Sequence, residues 1–318
     1  MPAPEAPGQP AAPPDPVVIV TLDGVRWQEV FEGTDATLSK APPVAAAALL
    51  PNLYALGQEH GAFVGAPGYG EIAASGPNYI SLPGYNELLG GRPSPWCTSN
   101  DCPQTHVPTL LDEAHDQGAR VAAFASWERI SRAVTFRQGT FKVDCGRGLN
   151  PFAPKVLGSG ESRPDSLTAT EALRYFETAQ PDVFYLGLGD TDEYAHHHDY
   201  PRYLAALRQA DDVLGRLQAM LRASERGRRT HVIVVPDHGR ARDFESHGGF
   251  APESARVWLV AAGPRIAARG MVRSPQKRHL ADVAPTLRVV LGLRRDTAEG
   301  AGVPMAELWN ASEAPVAL

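Results

Sequence analysis

Four short stretches of this chain hold residue types that could do chemistry together. Asp23 follows the apolar run 17–20 (VVIV), and Asp192 and His196 follow 183–188 (VFYLGL). Asp237 and His238 close the run 231–235 (HVIVV), with His247 shortly after in SHGG. Taken singly, each reads as well as a turn residue or a solvated polar group. Turn formers, however, have no reason to recur as carboxylate plus imidazole at the ends of several apolar runs. Three Asp and three His are the donors that borderline, N/O-seeking divalent cations take, zinc first and manganese as the alternative. Asp192 and His196, at i and i+4, share a face if their segment is helical. Adjacent Asp237 and His238 should point in different directions, which suits a pair shared between two ions. Two metals are therefore expected rather than one.

A pair of cations beside an oxygen nucleophile forms a clamp for phosphoryl or related transfer. The candidate oxygen is Ser81, in NYISLPGYNELLGG. Pro83 falls where a helix's first turn tolerates proline, and Gly90-Gly91 ends that helix. Ser81 then stands at a helix N-terminus, where the dipole and free N–H groups favour an anion. A cation at its oxygen would lower its pKa. Without the acid and imidazole residues, Ser81 reads as an ordinary helix cap.

The elements that must position these residues alternate. Runs 17–20, 120–125, 183–188, 231–235 and 256–262 read as buried strands. Helical patterns lie between them: VPTLLDEAHDQG ending at Gly118, TATEALRYFETAQ with a capping box from Thr168 to Glu171, a long segment capped by Asp199 with Pro201 in its first turn, and HLADVAPTLRVVLG. Such alternation predicts an α/β fold, a mostly parallel sheet with helices on both faces. The C-terminal ends of its strands are where ligands bind in folds of this kind.

Bulk properties narrow the partners. The 318 residues are 43% hydrophobic and 21% charged, with a formal net charge of −6. That field does not attract nucleic acid, so an anionic substrate needs a local cation. No apolar run approaches the roughly 20 residues of a membrane helix. Residues 1–16 (MPAPEAPGQPAAPPDP) are expected to be a disordered or polyproline-like stalk, and 17–318 a single catalytic domain. Cys97 and Cys102, in CTSNDC, either close a short disulfide or stay free; a disulfide would suit an exported protein, periplasmic or secreted, whose signal has been removed. The pattern sets no oligomeric state.

The set LDG, SLPGYNELLGG, DTDEYAH, PDHGR and SHGG resembles the alkaline phosphatase superfamily, over Val17 to about Leu293. It is most similar to the compact phosphatase and phosphodiesterase members, which include the nucleotide pyrophosphatases. The resemblance implies a three-layer α/β/α sandwich and two Zn²⁺. Asp192, His196 and His247 would hold one ion. Asp23, Asp237 and His238 would hold the other, with Ser81 contacting it as the nucleophile that becomes phosphoserine. Asn100 resembles an asparagine that steadies a non-bridging phosphoryl oxygen of a small phosphate ester. The phosphodiesterase branch usually has threonine where this chain has Ser81, and alkaline phosphatases have serine, so monoester and diester substrates both stay open.

Other readings share the scaffold. Sulfatases carry a Cys/Ser-x-Pro-x-Arg pattern, and here Tyr85 stands in place of the arginine. A phosphomutase would normally carry a cap domain, for which 91–181 leaves little room. A catalytically silent metal-binding protein is the alternative of another class. Trp127, Arg129, Lys142 and Arg147 fall in a stretch expected to be irregular, either a solvated loop or a cover over the site, in which case one of the cations could hold a phosphomonoester's extra charge. Arg26 and Trp27, next to Asp23, either line the pocket or pack; Asp190 reads either as a residue supporting the site or as a loop residue, and His197 and His198 are expected to lie on the surface.

Overall fold

The structure is a computed structural model, and it describes residues 14–146 and 162–310. Arg147 and most of the expected stalk lie outside the described residues. Eleven strands are present among them: β1 (Val17–Leu22), β2 (Gly61–Val64), β3 (Ile72–Ala73), β4 (Val121–Ala125), β5 (Lys142–Cys145), β6 (Val183–Leu188), β7 (His231–Val235), β8 (Arg256–Val257), β9 (Leu259–Ala262), β10 (Gly270–Met271) and β11 (Arg278–His279). Eight of them form one sheet in the order β10-β2-β9-β7-β1-β6-β4-β5, and β11-β3-β8 form a small second sheet. In the large sheet β9 alone runs against its neighbours. The others are parallel, as the alternating pattern predicts.

Both faces of the sheet are covered, and β1 shows how. Successive side chains of a strand point to opposite faces. Val17 and Ile19 join one core, with helices Ser81–Gly90, Leu110–Asp116 and Val283–Leu291. Val18, Val20 and Leu22 join the other, with helices Asp165–Ala179 and Tyr200–Arg222. A strand buried on both sides favours apolar residues at nearly every position, which is why β1, β6 and β7 read as near-continuous apolar runs, with Thr21 and His231 as buried polar exceptions. The result is the three-layer sandwich.

Several boundaries differ from expectation for identifiable reasons. The run 256–262 is two strands in two sheets, interrupted at Trp258, whose indole is buried and donates to the Val25 carbonyl at 3.0 Å. The helix expected to open at Thr168 begins at Asp165. Thr168 is no cap; its hydroxyl accepts from Ser126 Oγ and Arg163 Nε, each at 2.9 Å. Lys142 is not in an irregular cover but in β5, the edge strand beside β4. The Asp199 cap holds, its carboxylate accepting from the Arg202 N–H at 3.0 Å. Cys97 and Cys102 are disulfide-bonded. No helix among the described residues is long and apolar enough to cross a membrane.

Candidate metal centre and nucleophile

The three central, adjacent strands deliver the acid and imidazole groups. β7, β1 and β6 lie side by side in parallel register, with Leu22 opposite Leu188 and Thr21 opposite Val235. Their C-terminal ends therefore lie together, and the chain leaves them at Asp23, at the helix Asp190–His196 and at Asp237-His238. Ser81 begins the helix Ser81–Gly90, whose Gly84 backs directly on the Asp237 backbone; a Cβ there would lie 2.3 Å from the Asp237 carbonyl oxygen. That close approach fixes the helix of Ser81 against β7's exit.

The side chains converge. Ser81 Oγ lies 3.4 Å from Asp23 Oδ1 and 3.3 Å from His238 Nε2. His238 Nε2 is 3.4 Å from both Asp23 Oδ1 and Asp237 Oδ2. His196 Nε2 lies 3.1 Å from Asp192 Oδ2 and 2.9 Å from His247 Nε2. Two overlapping trios, Asp192/His196/His247 and Asp23/Asp192/His238, each bring donor atoms within 4.8 Å of one another. Asp237 and His238, expected to diverge, instead reach the same centre, because they stand in the loop after β7 rather than on its pleat. Asp192 reaches both trios, so it is the residue between the two halves of the site.

Neighbours set the orientation of these donors. His238 Nδ1 lies 2.8 Å from the Gly239 carbonyl, and His247 Nδ1 lies 3.2 Å from that of Tyr79. In both, Nδ1 donates outward to a carbonyl, so Nε2 is the ring nitrogen that faces inward. The two rings stack 4.0 Å apart. Asp237 Oδ1 accepts from the Gly24 N–H at 3.1 Å, while its Oδ2 is buried with no partner. Tyr85 donates its hydroxyl proton to Asp23 Oδ2 at 2.8 Å, and Thr191 donates to the Asp23 carbonyl at 2.7 Å.

This donor set fits divalent cations. An orphaned buried carboxylate oxygen is costly unless something charged meets it. Burial, then the charge of Asp23, pushes Asp237 well above the usual carboxylate range. Burial disfavours a charged His238, yet Asp237 and the other carboxylates outweigh it and hold the group up at about 9. Burial and the adjacent His238 push His247 down to about 2. A buried carboxylate oxygen without a partner, beside imidazole nitrogens turned inward, describes a centre suited to positive charge from elsewhere.

Three further residues act here that the sequence did not single out. Arg240 is buried; it donates to Asp192 Oδ1 and to the carbonyls of Phe244 and Glu245. Burial would raise Asp192, but Arg240, with His247 and His196, holds it well below the usual range. Asp165 accepts from the N–H groups of Gly189 and Asp190 at 2.8 and 3.0 Å, so it caps the helix that presents Asp192 and His196. Burial and Asp190 push the Asp165 carboxyl up to about 8. Tyr85 is the third. Its position was noted only for the arginine it lacks.

Of the other sequence candidates, Asn100 lies beside the start of the Ser81 helix: its Oδ1 accepts from the Leu82 N–H at 2.9 Å, and Arg129 holds its backbone carbonyl. Arg26 packs rather than lining the pocket, pairing with buried Glu29 and with Asp35. Asp190 supports the site through Asp165, whose N–H it accepts at 3.1 Å. His197 and His198 are exposed.

With this geometry, residues 85–283 match the family described as type I phosphodiesterase / nucleotide pyrophosphatase. The chain belongs to that family. Through it, the chain is a member of the alkaline phosphatase superfamily. The match includes Asp192, His196, Asp237, His238 and His247, and begins after Asp23 and Ser81. A 2,3-bisphosphoglycerate-independent phosphoglycerate mutase of Haloarcula marismortui is 26% identical over 256 residues, covering 69% of this chain and 47% of the mutase. The chain thus spans about half the length of that curated relative. The phosphonate monoester hydrolase of Agrobacterium radiobacter superposes with a TM-score of 0.65 at 15% identity, over 93% of this chain and 77% of that one. Murine ectonucleotide pyrophosphatase / phosphodiesterase 5, as an inactive variant in complex with AMP, gives 0.61 at 13% identity, over 90% and 97%. Likeness at this identity speaks for the fold.

Proposed function

We propose that this chain is a metal-dependent phosphoric ester hydrolase, a phosphomonoesterase or phosphodiesterase, that works through a phosphoseryl intermediate on Ser81. Asp192, His196 and His247 would hold one divalent cation and Asp23, Asp237 and His238 a second, zinc or manganese. The observation that carries the reading is the position of Ser81 Oγ, 3.4 and 3.3 Å from donors of the second set at the first residue of a helix. The same reading takes 17–318 as one catalytic domain. It also places the chain outside the cytoplasm, in line with the Cys97–Cys102 bond.

Bound at these residues, divalent cations would supply positive charge to the phosphoryl oxygens and lower the proton affinity of the attacking and leaving oxygens. Ser81 Oγ attacks phosphorus in line, and the bond from phosphorus to the ester oxygen breaks on the side of Asp192, His196 and His247. Water then cleaves the ester between phosphorus and Ser81, returning the Ser81 hydroxyl and releasing phosphate from a monoester substrate or a phosphomonoester from a diester. Asn100 spends its Oδ1 on the Leu82 N–H, which leaves Nδ2 for a non-bridging oxygen. Three carboxylates and a serine alkoxide balance two divalent ions. Arg240 adds one positive charge beyond that balance, which favours an anionic substrate.

Metal content by mass spectrometry, with hydrolysis of p-nitrophenyl phosphate, bis-p-nitrophenyl phosphate and p-nitrophenyl sulfate, tests the reading. Two ions per chain and phosphate-ester turnover are expected. Ser81→Ala should lower turnover by at least about a thousandfold with the fold intact. Near-normal turnover in that variant removes Ser81 from the mechanism. The mutase relative supports a second reading, phosphoryl transfer from Ser81 to an alcohol rather than to water. Isomerised ester without released phosphate would select it.

A further inference from the structure

Beside the candidate metal centre, on the far side of Arg240, lies a cavity of about 230 Å³ lined by Trp27, Gln28, Arg240, Arg242, Glu253 and Arg256. Its charge is lopsided, three guanidinium groups against one carboxylate. The bonding of each cation decides what the cavity can do.

Arg240 is committed to Asp192 and to two loop carbonyls. Arg242 is exposed and pairs with Glu253 at 3.1 Å, an exposed ion pair that contributes little. Arg256 differs from both. Its guanidinium stacks on the Trp27 ring at 3.9 Å, and it makes no ion pair among the described residues. Its Nε is buried with no hydrogen-bond partner. Burial lowers its pKa, with Glu71 and Glu32 opposing only through space. Stacking on an indole occupies the face of a guanidinium and leaves its N–H edge for an acceptor, the fork that suits oxyanions.

The cavity is also firmly built. Gly239 has no room for a side chain, since a Cβ would lie 2.4 Å from the Arg256 carbonyl, and the Gly239 N–H donates to Ser254 at 2.7 Å. The strand carrying Arg256 is therefore clamped to the segment carrying Asp237, His238 and Arg240. A half-buried cation with an unpartnered donor, on clamped backbone, with an aromatic floor, is a preformed receptor.

We propose that this cavity binds a phosphate-class oxyanion at the Arg256 guanidinium, with the Gln28 amide and the Trp27 ring completing the site. Two sources share that chemistry, a free phosphate ion and a second phosphate group of a substrate seated at Ser81.

The test is calorimetric titration of the full, zinc-loaded chain with inorganic phosphate. Wild type should bind one phosphate more per chain than Arg256→Met and Arg256→Gln, measured in parallel so that a folding failure in one does not decide the outcome. At the lost site the affinity should fall at least about tenfold. Arg256→Lys, which keeps the charge and the stem, should recover part of it. Equal stoichiometry and affinity in wild type and either folded variant overturns the proposal. Hydrolysis assigns the source. A KM raised by Arg256→Met for a nucleoside diphosphate but not for p-nitrophenyl phosphate identifies a substrate's second phosphate. Unchanged KM values beside the lost binding identify the free ion. Because binding alone decides the proposal, its failure is distinct from failure of the hydrolase reading.

Discussion

Tyr85 Oη donates to Asp23 Oδ2 at 2.8 Å, leaving Asp23 Oδ1 to face Ser81 and His238. The phenol is fully buried, and burial followed by the Asp23 charge raises its pKa well above the ordinary value. It therefore stays a donor across the working pH range. Tyr85→Phe removes that donor with little change of volume. Zinc affinity, measured by chelator competition, should fall about tenfold or more, while thermal unfolding changes little. Unaltered affinity would mean that Asp23 is held by something else.

Arg240 and Asp192 form a buried pair that matters most when no cation is bound. Removing one partner of a buried pair leaves an uncompensated charge and costs about 3–5 kcal/mol. Arg240→Met should therefore destabilise the metal-free chain by about that amount. Zinc, compensating Asp192 in place of the guanidinium, should close most of the gap. Thermal unfolding with and without zinc reads both. A loss that zinc does not reduce would place the Arg240 contribution in its carbonyl bonds to Phe244 and Glu245 instead.

How much of this was legible in the sequence follows from where each interaction is encoded. β1, β6 and β7 were legible because burial on both faces favours near-continuous apolar runs. The six donors were legible because they follow those runs. β3, β8, β10 and β11 are two residues each, too short for any periodicity. β5 reads KVDC, and its Lys142 and Asp144 pair with each other as an edge strand allows. Tyr85, Arg240 and Asp165 were not legible as site residues because their partners lie 62, 48 and 24 positions away. Only the fold reveals such pairs.

His231, at the start of β7, ties stability to pH away from the metal centre. Its ring is buried and accepts from the Arg265 N–H at 3.4 Å. Burial pushes it down to about 4. A histidine whose folded pKa is depressed favours the native state only while neutral. Its contribution is full above the ordinary histidine value, falls as pH drops below it, and is gone near pH 4. The span corresponds to on the order of 3 kcal/mol. Urea unfolding between pH 7 and pH 4 should show this loss, and His231→Gln should flatten it. An equal slope in the variant would assign the acid sensitivity to other groups.

Phe250 is a fully exposed aromatic three positions after His247, and its exposure has a structural cause. Gly249 lies so close to the preceding loop that a Cβ would meet Asn78 Oδ1 at 2.4 Å and the Pro77 carbonyl at 2.8 Å. His247 Nδ1 bonds the Tyr79 carbonyl in that same loop, which runs directly into Ser81. The two loops are thus locked side by side next to His247 and Ser81, and Phe250 stays exposed beside them rather than folded into the core. An exposed ring costs solvation unless something covers it, and a substrate's organic group is the nearest candidate. Phe250→Ala should raise KM for aryl or nucleoside esters by about three- to tenfold, with kcat nearly unchanged. KM for methyl phosphate, which has no ring to stack, should stay constant. Parallel increases for all three substrates would show that the residue shapes the loop, whereas no increase for any would leave Phe250 without a part in recognition.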